Sequence, residues 1–215
     1  MIRSAIFDVD GTILDSMQMW INYGHDLLVS KGVEPPEDID EVIQYFSLRE
    51  TAEYMSEHFD IGTADSLEED ARRMTEDFYF NRVMPKEGVV ELIQELYKNG
   101  VKLYVATATY RSLICPALER IGVLKYFEGV VTCPEVGHGK DRPDVFLAAL
   151  KAMKTGLEGA WIFEDAMHAI KTAKAAGFSV CGIYDKTEDA NKDALKELCD
   201  IYTDSFKSLT IESFK

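Results

Sequence analysis

Ile2-Arg3-Ser4-Ala5-Ile6-Phe7-Asp8-Val9-Asp10-Gly11-Thr12 is the stretch on which the reading of the fold turns. A short, mostly apolar run reaches Asp8 and is closed by Val9-Asp10-Gly11, the pattern of a buried strand that ends in a turn. Two carboxylates held at a strand end are costly unless a cation or a hydrogen-bonding partner compensates them. A solvated Asp-rich turn is the plain alternative for this stretch taken alone.

Similar apolar runs recur downstream at Lys102 to Thr107, Gly129 to Cys133, Ala160 to Phe163, Ser179 to Ile183 and Asp200 to Tyr202. Helix-period segments separate them, at about Gly88 to Lys98, Arg111 to Arg120, Pro143 to Lys151, His168 to Ala176 and Asp189 to Leu198. Strands alternating with crossover helices predict an α/β fold, a Rossmann-like parallel sheet covered by helices on both faces. Ligands of such sheets bind beyond the carboxyl ends of the strands, so polar residues there carry functional weight. Residues 16–84 break the alternation: they offer several amphipathic helical segments and no convincing strand. The expected organisation is an α/β core made of 1–15 and 85–215, with 16–84 inserted as a small helical domain beside the site, the behaviour of a lid.

The 215 residues carry 23 basic against 38 acidic side chains, a formal charge of −15. Such a surface repels nucleic acid and anionic membrane, so neither is an expected partner. It also repels phosphorylated molecules at long range, and an anion site would need local cations or a metal to reverse the field. Cys115, Cys133, Cys181 and Cys199 are widely spaced, without a C-x-x-C pair, and read as free thiols. Without a basic leader or a long apolar stretch before the first strand, the cytoplasm is the expected location, and a monomer or weak homodimer the expected state.

Four features follow one another along the chain: Asp8-Val9-Asp10-Gly11-Thr12 after the first strand, Thr107 ending the second, Lys140 within Gly139-Lys140-Asp141-Arg142-Pro143-Asp144, and Glu164-Asp165 after Trp161-Ile162-Phe163. A lone strand-end Thr usually satisfies a helix start, and an acidic pair commonly caps the next helix. All four on successive strand ends of one sheet are another matter. In that order they resemble the haloacid dehalogenase superfamily, in the branch whose helical cap is inserted after the first motif, close to phosphoglycolate-type phosphatases and beta-phosphoglucomutase. The similarity covers nearly the whole length, in the cap by placement more than by sequence.

The resemblance implies a phosphatase acting on a small phosphorylated metabolite through an aspartyl phosphate on Asp8. It implies Mg²⁺ bound by the side chains of Asp8 and Asp165 and the backbone carbonyl of Asp10, with Glu164 touching the ion or standing behind it. Lys140, the Thr107 hydroxyl and the Ala108 backbone N–H would hold the phosphate oxygens, and Asp10 would serve as general acid and base. At about 4 Å and an effective dielectric near 20, each carboxylate–phosphate pair repels by about 4 kcal/mol, which is why cations are needed.

Two departures from the family pattern stand out. The family lysine usually lies in G-K-P-x-P-D, whereas Asp141 replaces the first proline here; this puts the loop shape in question and leaves Arg142 either exposed or an extra anion contact. After the acidic pair, Ala166-Met167-His168 replaces a more polar helix start, with His168 expected as an exposed first-turn residue. In the insert, Trp20, Tyr23, Arg49 and Tyr54 are candidates to face substrate. Core packing is the alternative for the aromatics, and a solvated i,i+4 ion pair for Arg49, although Ser47-Leu48-Arg49-Glu50 resembles a substrate-facing cap loop. A phosphomutase is the nearest rival, but Asp15-Ser16 leads to Met17-Gln18-Met19-Trp20 without the histidine of that branch. A non-enzymatic phosphoacceptor domain would leave the large insert unexplained.

Overall fold

The computed structural model describes residues 1–43 and 48–215. The chain divides into two compact units, Met1–Asp15 with Val83–Lys215, and Ser16–Arg82.

The first strand, β1, spans Ser4–Phe7. The inserted unit then supplies α1 (Met17–Ile21), α2 (Tyr23–Ser30), α3 (Ile39–Ile43), α4 (Leu48–His58) and α5 (Ala64–Asp77), followed by a π-helical turn over Phe78–Arg82. Its own core gathers Tyr23, Leu27, Leu28, Ile39, Ile43, Ala52, Met55, Leu67 and Ala71. α5 starts where the Thr63 side chain accepts the Ser66 N–H, an N-cap that satisfies one of the orphan donors of the first turn.

The larger unit continues with α6 (Val89–Lys98), β2 (Lys102–Thr107), α7 (Arg111–Arg120), β3 (Gly129–Thr132), α8 (Cys133–Val136), α9 (Asp144–Met153), β4 (Ala160–Glu164), α10 (Met167–Ala175), β5 (Ser179–Ile183), α11 (Lys192–Leu198) and β6 (Ile201–Thr203). All six strands are parallel, in the order β3-β2-β1-β4-β5-β6. β1 therefore lies between β2 and β4, where the direction of winding reverses. Every residue of β1 is buried, as expected of a strand covered on both faces. One face buries Ile6, Ala106 and Ile162 against Val145, Phe146, Ala149 and Ile170 from the helices. On the other, Phe7 stacks on Phe163 with ring centroids 4.1 Å apart, and Phe163 meets Phe214 at 5.4 Å.

Several boundaries differ from the sequence reading by a residue or more, two of them for a clear local reason. The run ending at Cys133 stops at Thr132 because Thr132 and Glu135 form a reciprocal capping box that starts α8. The helix expected from Asp189 begins at Lys192, since Asp185 caps a 3₁₀ turn over Lys186–Asn191 first. The last strand is Ile201–Thr203, one residue later than its apolar run.

Between β1 and the insert, the chain turns through Gly11 at φ +75°, a left-handed conformation that glycine adopts without a Cβ penalty. Leu14 N–H donates to the Val9 carbonyl (2.8 Å) and Gly11 N–H to that of Leu14 (2.9 Å). Where the chain returns, Asp15 N–H donates to Met84 and Lys86 N–H to Ile13, so the outgoing and incoming segments pair side by side.

Candidate active site

The parallel register decides which side chains meet. Phe7 is level with Phe163 on one side and Val105 on the other. The next residues, Asp8 and Glu164, thus emerge together at the carboxyl edge, and Asp8 N–H continues the ladder to the Phe163 carbonyl at 3.0 Å. Thr107 ends β2 beside them. Asp8, Thr107, Lys140, Glu164 and Asp165 are all buried, although charged side chains rarely are unless paired.

The Lys140 ammonium supplies the pairing, donating to an oxygen of Asp8 and, at 2.7 Å, to Oε2 of Glu164. Oε1 of Glu164 accepts the Ala166 N–H at 3.2 Å, at the start of α10, so both of its oxygens have protein donors. Asp165 accepts the Thr12 hydroxyl at 3.2 Å. Burial, then the neighbouring Glu164, pushes the Asp8 carboxyl up to about 8. The same two causes raise Asp165 well above the usual carboxylate range. Burial alone would lower Lys140, but the carboxylates of Asp8 and Glu164 outweigh it and hold the ammonium charged.

Carboxylate oxygens of Asp8, Glu164 and Asp165 lie within 4.8 Å of one another. Ionised together, three carboxylates facing one ammonium would leave a buried excess of negative charge, and hard oxygen donors at such spacing suit a small divalent cation such as Mg²⁺. The donor set therefore fits the metal that the sequence reading implies.

Lys140 reaches this cluster from the loop between α8 and α9. Arg142 N–H donates to the Gly139 carbonyl at 3.2 Å, closing a turn across Lys140 and Asp141 that stands in for the missing proline. Arg142 itself is exposed and pairs with Asp144 at 3.2 Å. His168 is exposed in the first turn of α10, and Ala108 is exposed just past the end of β2.

Asp10 lies half-buried on the turn after β1, and its Oδ2 accepts the Thr109 hydroxyl at 2.6 Å. Thr109 N–H in turn donates to the Thr107 hydroxyl oxygen at 3.2 Å. Neither Thr109 nor the Thr12 side chain stands out in the sequence, where the Thr107-Ala108-Thr109 repeat is the one signal of the former. A second unforeseen pair closes the edge at β5, where the Lys86 ammonium donates to Asp185 (2.7 Å) and to the Tyr184 carbonyl (2.8 Å).

In the inserted unit, Arg49 is exposed on α4 and spans to α5, bonding Glu53 (2.7 Å), Asp65 (2.6 Å) and Glu68 (2.9 Å). Tyr23 belongs to that unit's core, Tyr54 stacks on His58 at 4.0 Å, and Trp20 donates to the Tyr79 hydroxyl at 3.1 Å. Ser47, the first residue of the loop considered with Arg49, lies outside the described residues.

A family model described as haloacid dehalogenase-like hydrolase matches residues 5–183. The phosphorylated carbohydrates phosphatase of Thermotoga maritima is 27% identical over 179 residues, 82% of each chain. The validoxylamine A 7'-phosphate phosphatase of Streptomyces hygroscopicus subsp. limoneus is 29% identical over 187 residues, 85% of this chain and 86% of that one. Among solved structures, CbbY from Rhodobacter sphaeroides in complex with xylulose-(1,5)bisphosphate superposes with a TM-score of 0.78 at 22% identity, covering 100% of both chains. That likeness speaks for the fold.

Proposed function

The chain belongs to the haloacid dehalogenase-like hydrolase family, and on that premise we propose that it is a Mg²⁺-dependent phosphatase of small phosphate monoesters, working through an aspartyl phosphate on Asp8. One observation carries the reading: Asp8, Glu164 and Asp165 converge in a buried site with Lys140 as their cation. The named relatives, a phosphorylated carbohydrates phosphatase and a validoxylamine A 7'-phosphate phosphatase, support a phosphorylated carbohydrate as the substrate class.

In this proposal an Asp8 oxygen attacks phosphorus in line while the ester oxygen leaves, and water then hydrolyses the acyl phosphate. Lys140 and the Thr107 hydroxyl hold the equatorial oxygens, joined by backbone N–H groups such as that of Ala108. Asp10, two residues from the nucleophile, gives a proton to the leaving oxygen and takes one from the water. Asp8, Asp165 and the Asp10 carbonyl would hold the ion, which when bound neutralises phosphate charge and offsets its repulsion from the carboxylates. Since both oxygens of Glu164 already have protein donors, its part is to buttress Lys140. Arg49, committed to three carboxylates of its own unit, would meet a substrate phosphate only by exchanging one of them.

The decisive test is a panel of phosphate esters assayed for phosphate release with Mg²⁺ and after chelation. Release from at least one sugar phosphate, abolished by EDTA and restored by Mg²⁺, is expected; interconversion of sugar phosphates without release would favour the mutase reading instead. Metal binding has its own readout in the absence of substrate. Mg²⁺ at about 100 times its dissociation constant should raise unfolding free energy by about 2.7 kcal/mol. In Asp165→Asn that gain should disappear from urea titrations; an undiminished gain would move the metal elsewhere.

A further inference from the structure

Thr109 lies two residues past the strand-end Thr107, on the loop that enters α7, and its hydroxyl makes a 2.6 Å hydrogen bond to Oδ2 of Asp10, across 99 residues of sequence. A neutral hydroxyl is a sufficient donor for a surface carboxylate, but this contact is short, half-buried and charge-assisted, the stronger class of hydrogen bond. It joins the two strand ends that matter. Asp10 stands on the turn after β1, where Gly11 lets the backbone double back, so its position along the edge is already determined. The turn itself does not set the rotation of the carboxyl group, and the Thr109 hydroxyl is a bonded partner that restrains it. The same residue's N–H donates to the Thr107 hydroxyl oxygen, so a single residue links the side chain expected to hold phosphate with the one expected to transfer protons.

We infer that Thr109 is a positioning residue that helps to set the rotation of the Asp10 carboxyl group by keeping Oδ2 on its hydroxyl. This rests on the reading of Asp10 as general acid and base. It carries a chemical consequence that a purely structural threonine would not have. In the first step the phosphorus–oxygen bond breaks, its electron pair stays on the ester oxygen, and the proton from Asp10 neutralises that oxygen. A poor leaving group needs the proton; a good one leaves as the anion. Misorientation of Asp10 should therefore show itself according to the ester used, and the parameter to read is kcat/KM, which stops at formation of the aspartyl phosphate.

The experiment measures kcat/KM with Mg²⁺ for phenyl phosphate and p-nitrophenyl phosphate in the wild type, Thr109→Val, Thr109→Ser and Asp10→Asn. Thr109→Val should lose on the order of 10–100-fold on phenyl phosphate, within the range of a misplaced acid, and less than about threefold on p-nitrophenyl phosphate. Thr109→Ser, which restores the hydroxyl, should regain most of the loss, and inhibition by inorganic phosphate should stay unchanged throughout. Equal losses on both esters, or no recovery in Thr109→Ser, overturn the inference. If Asp10→Asn discriminates between the esters while Thr109→Val does not, this inference alone fails. If Asp10→Asn does not discriminate, or the wild type turns over neither ester, the reading beneath it fails too.

Discussion

Asp8→Asn should lower phosphate release by about 10⁴-fold or more, the scale seen when a nucleophile is removed from an otherwise intact site, and should leave the fold unharmed. The amide is isosteric, so the β1 ladder and the Phe7–Phe163 stack keep their geometry. It cannot form an acyl phosphate, and no second carboxylate replaces it: Asp165 is tied to Thr12 and Glu164 to Lys140 and the Ala166 N–H. Stability should be unchanged or higher, because the amide replaces a buried carboxyl whose ionisation burial and Glu164 oppose, while Lys140 retains Glu164. Circular dichroism with a urea titration measures one half, and phosphate release the other. Activity within tenfold of wild type would be incompatible with Asp8 as nucleophile.

Lys140→Met should cost both activity and stability, and the two losses can be separated. Its ammonium, buried and shared between Asp8 and Glu164, is the only basic group bonded to that carboxylate cluster among the described residues. Losing one partner of a buried ion pair typically costs roughly 3–5 kcal/mol, because the charges left behind stay desolvated. Loss of one electrostatic contact to the reacting phosphoryl group adds about 10²–10³ in kcat. The double variant Lys140→Met/Glu164→Gln removes one stranded carboxylate. It should recover part of the stability in urea unfolding and none of the turnover. A double variant that regained activity would make Lys140 a structural counter-ion and nothing more.

Much of this molecule was legible in its sequence because the sheet is parallel. Strands covered on both faces show as mostly apolar runs, and Ile2 to Phe7, Lys102 to Thr107 and Ala160 to Phe163 stand out on that ground. The acids that end them were visible for the same reason, since a carboxylate directly after such a run has no bland place to go. What escaped notice depends on partners far away along the chain. Thr109 meets Asp10 across 99 residues, and Lys86 meets Asp185 across another 99. Neither pair leaves a periodic trace. The α8 turn was hidden differently: Thr132 and Glu135 spell a capping box, but the apolar run into Cys133 masked it. In the insert, Tyr23 and Arg49 show how chemistry-bearing side chains can be consumed locally, one as core and the other as an ionic strut between two helices.

The paired passage of Ile13–Asp15 beside Met84–Lys86 has a meaning for how such a chain can vary. Asp15 and Met84 are one backbone hydrogen bond apart, so to the sheet everything from Ser16 to Arg82 is the tip of a hairpin. Lengthening that tip is thermodynamically cheap, about 0.6 kcal/mol for each doubling. An insert of different length can therefore be carried at this point while the strands that bear Asp8 and Glu164 keep their register.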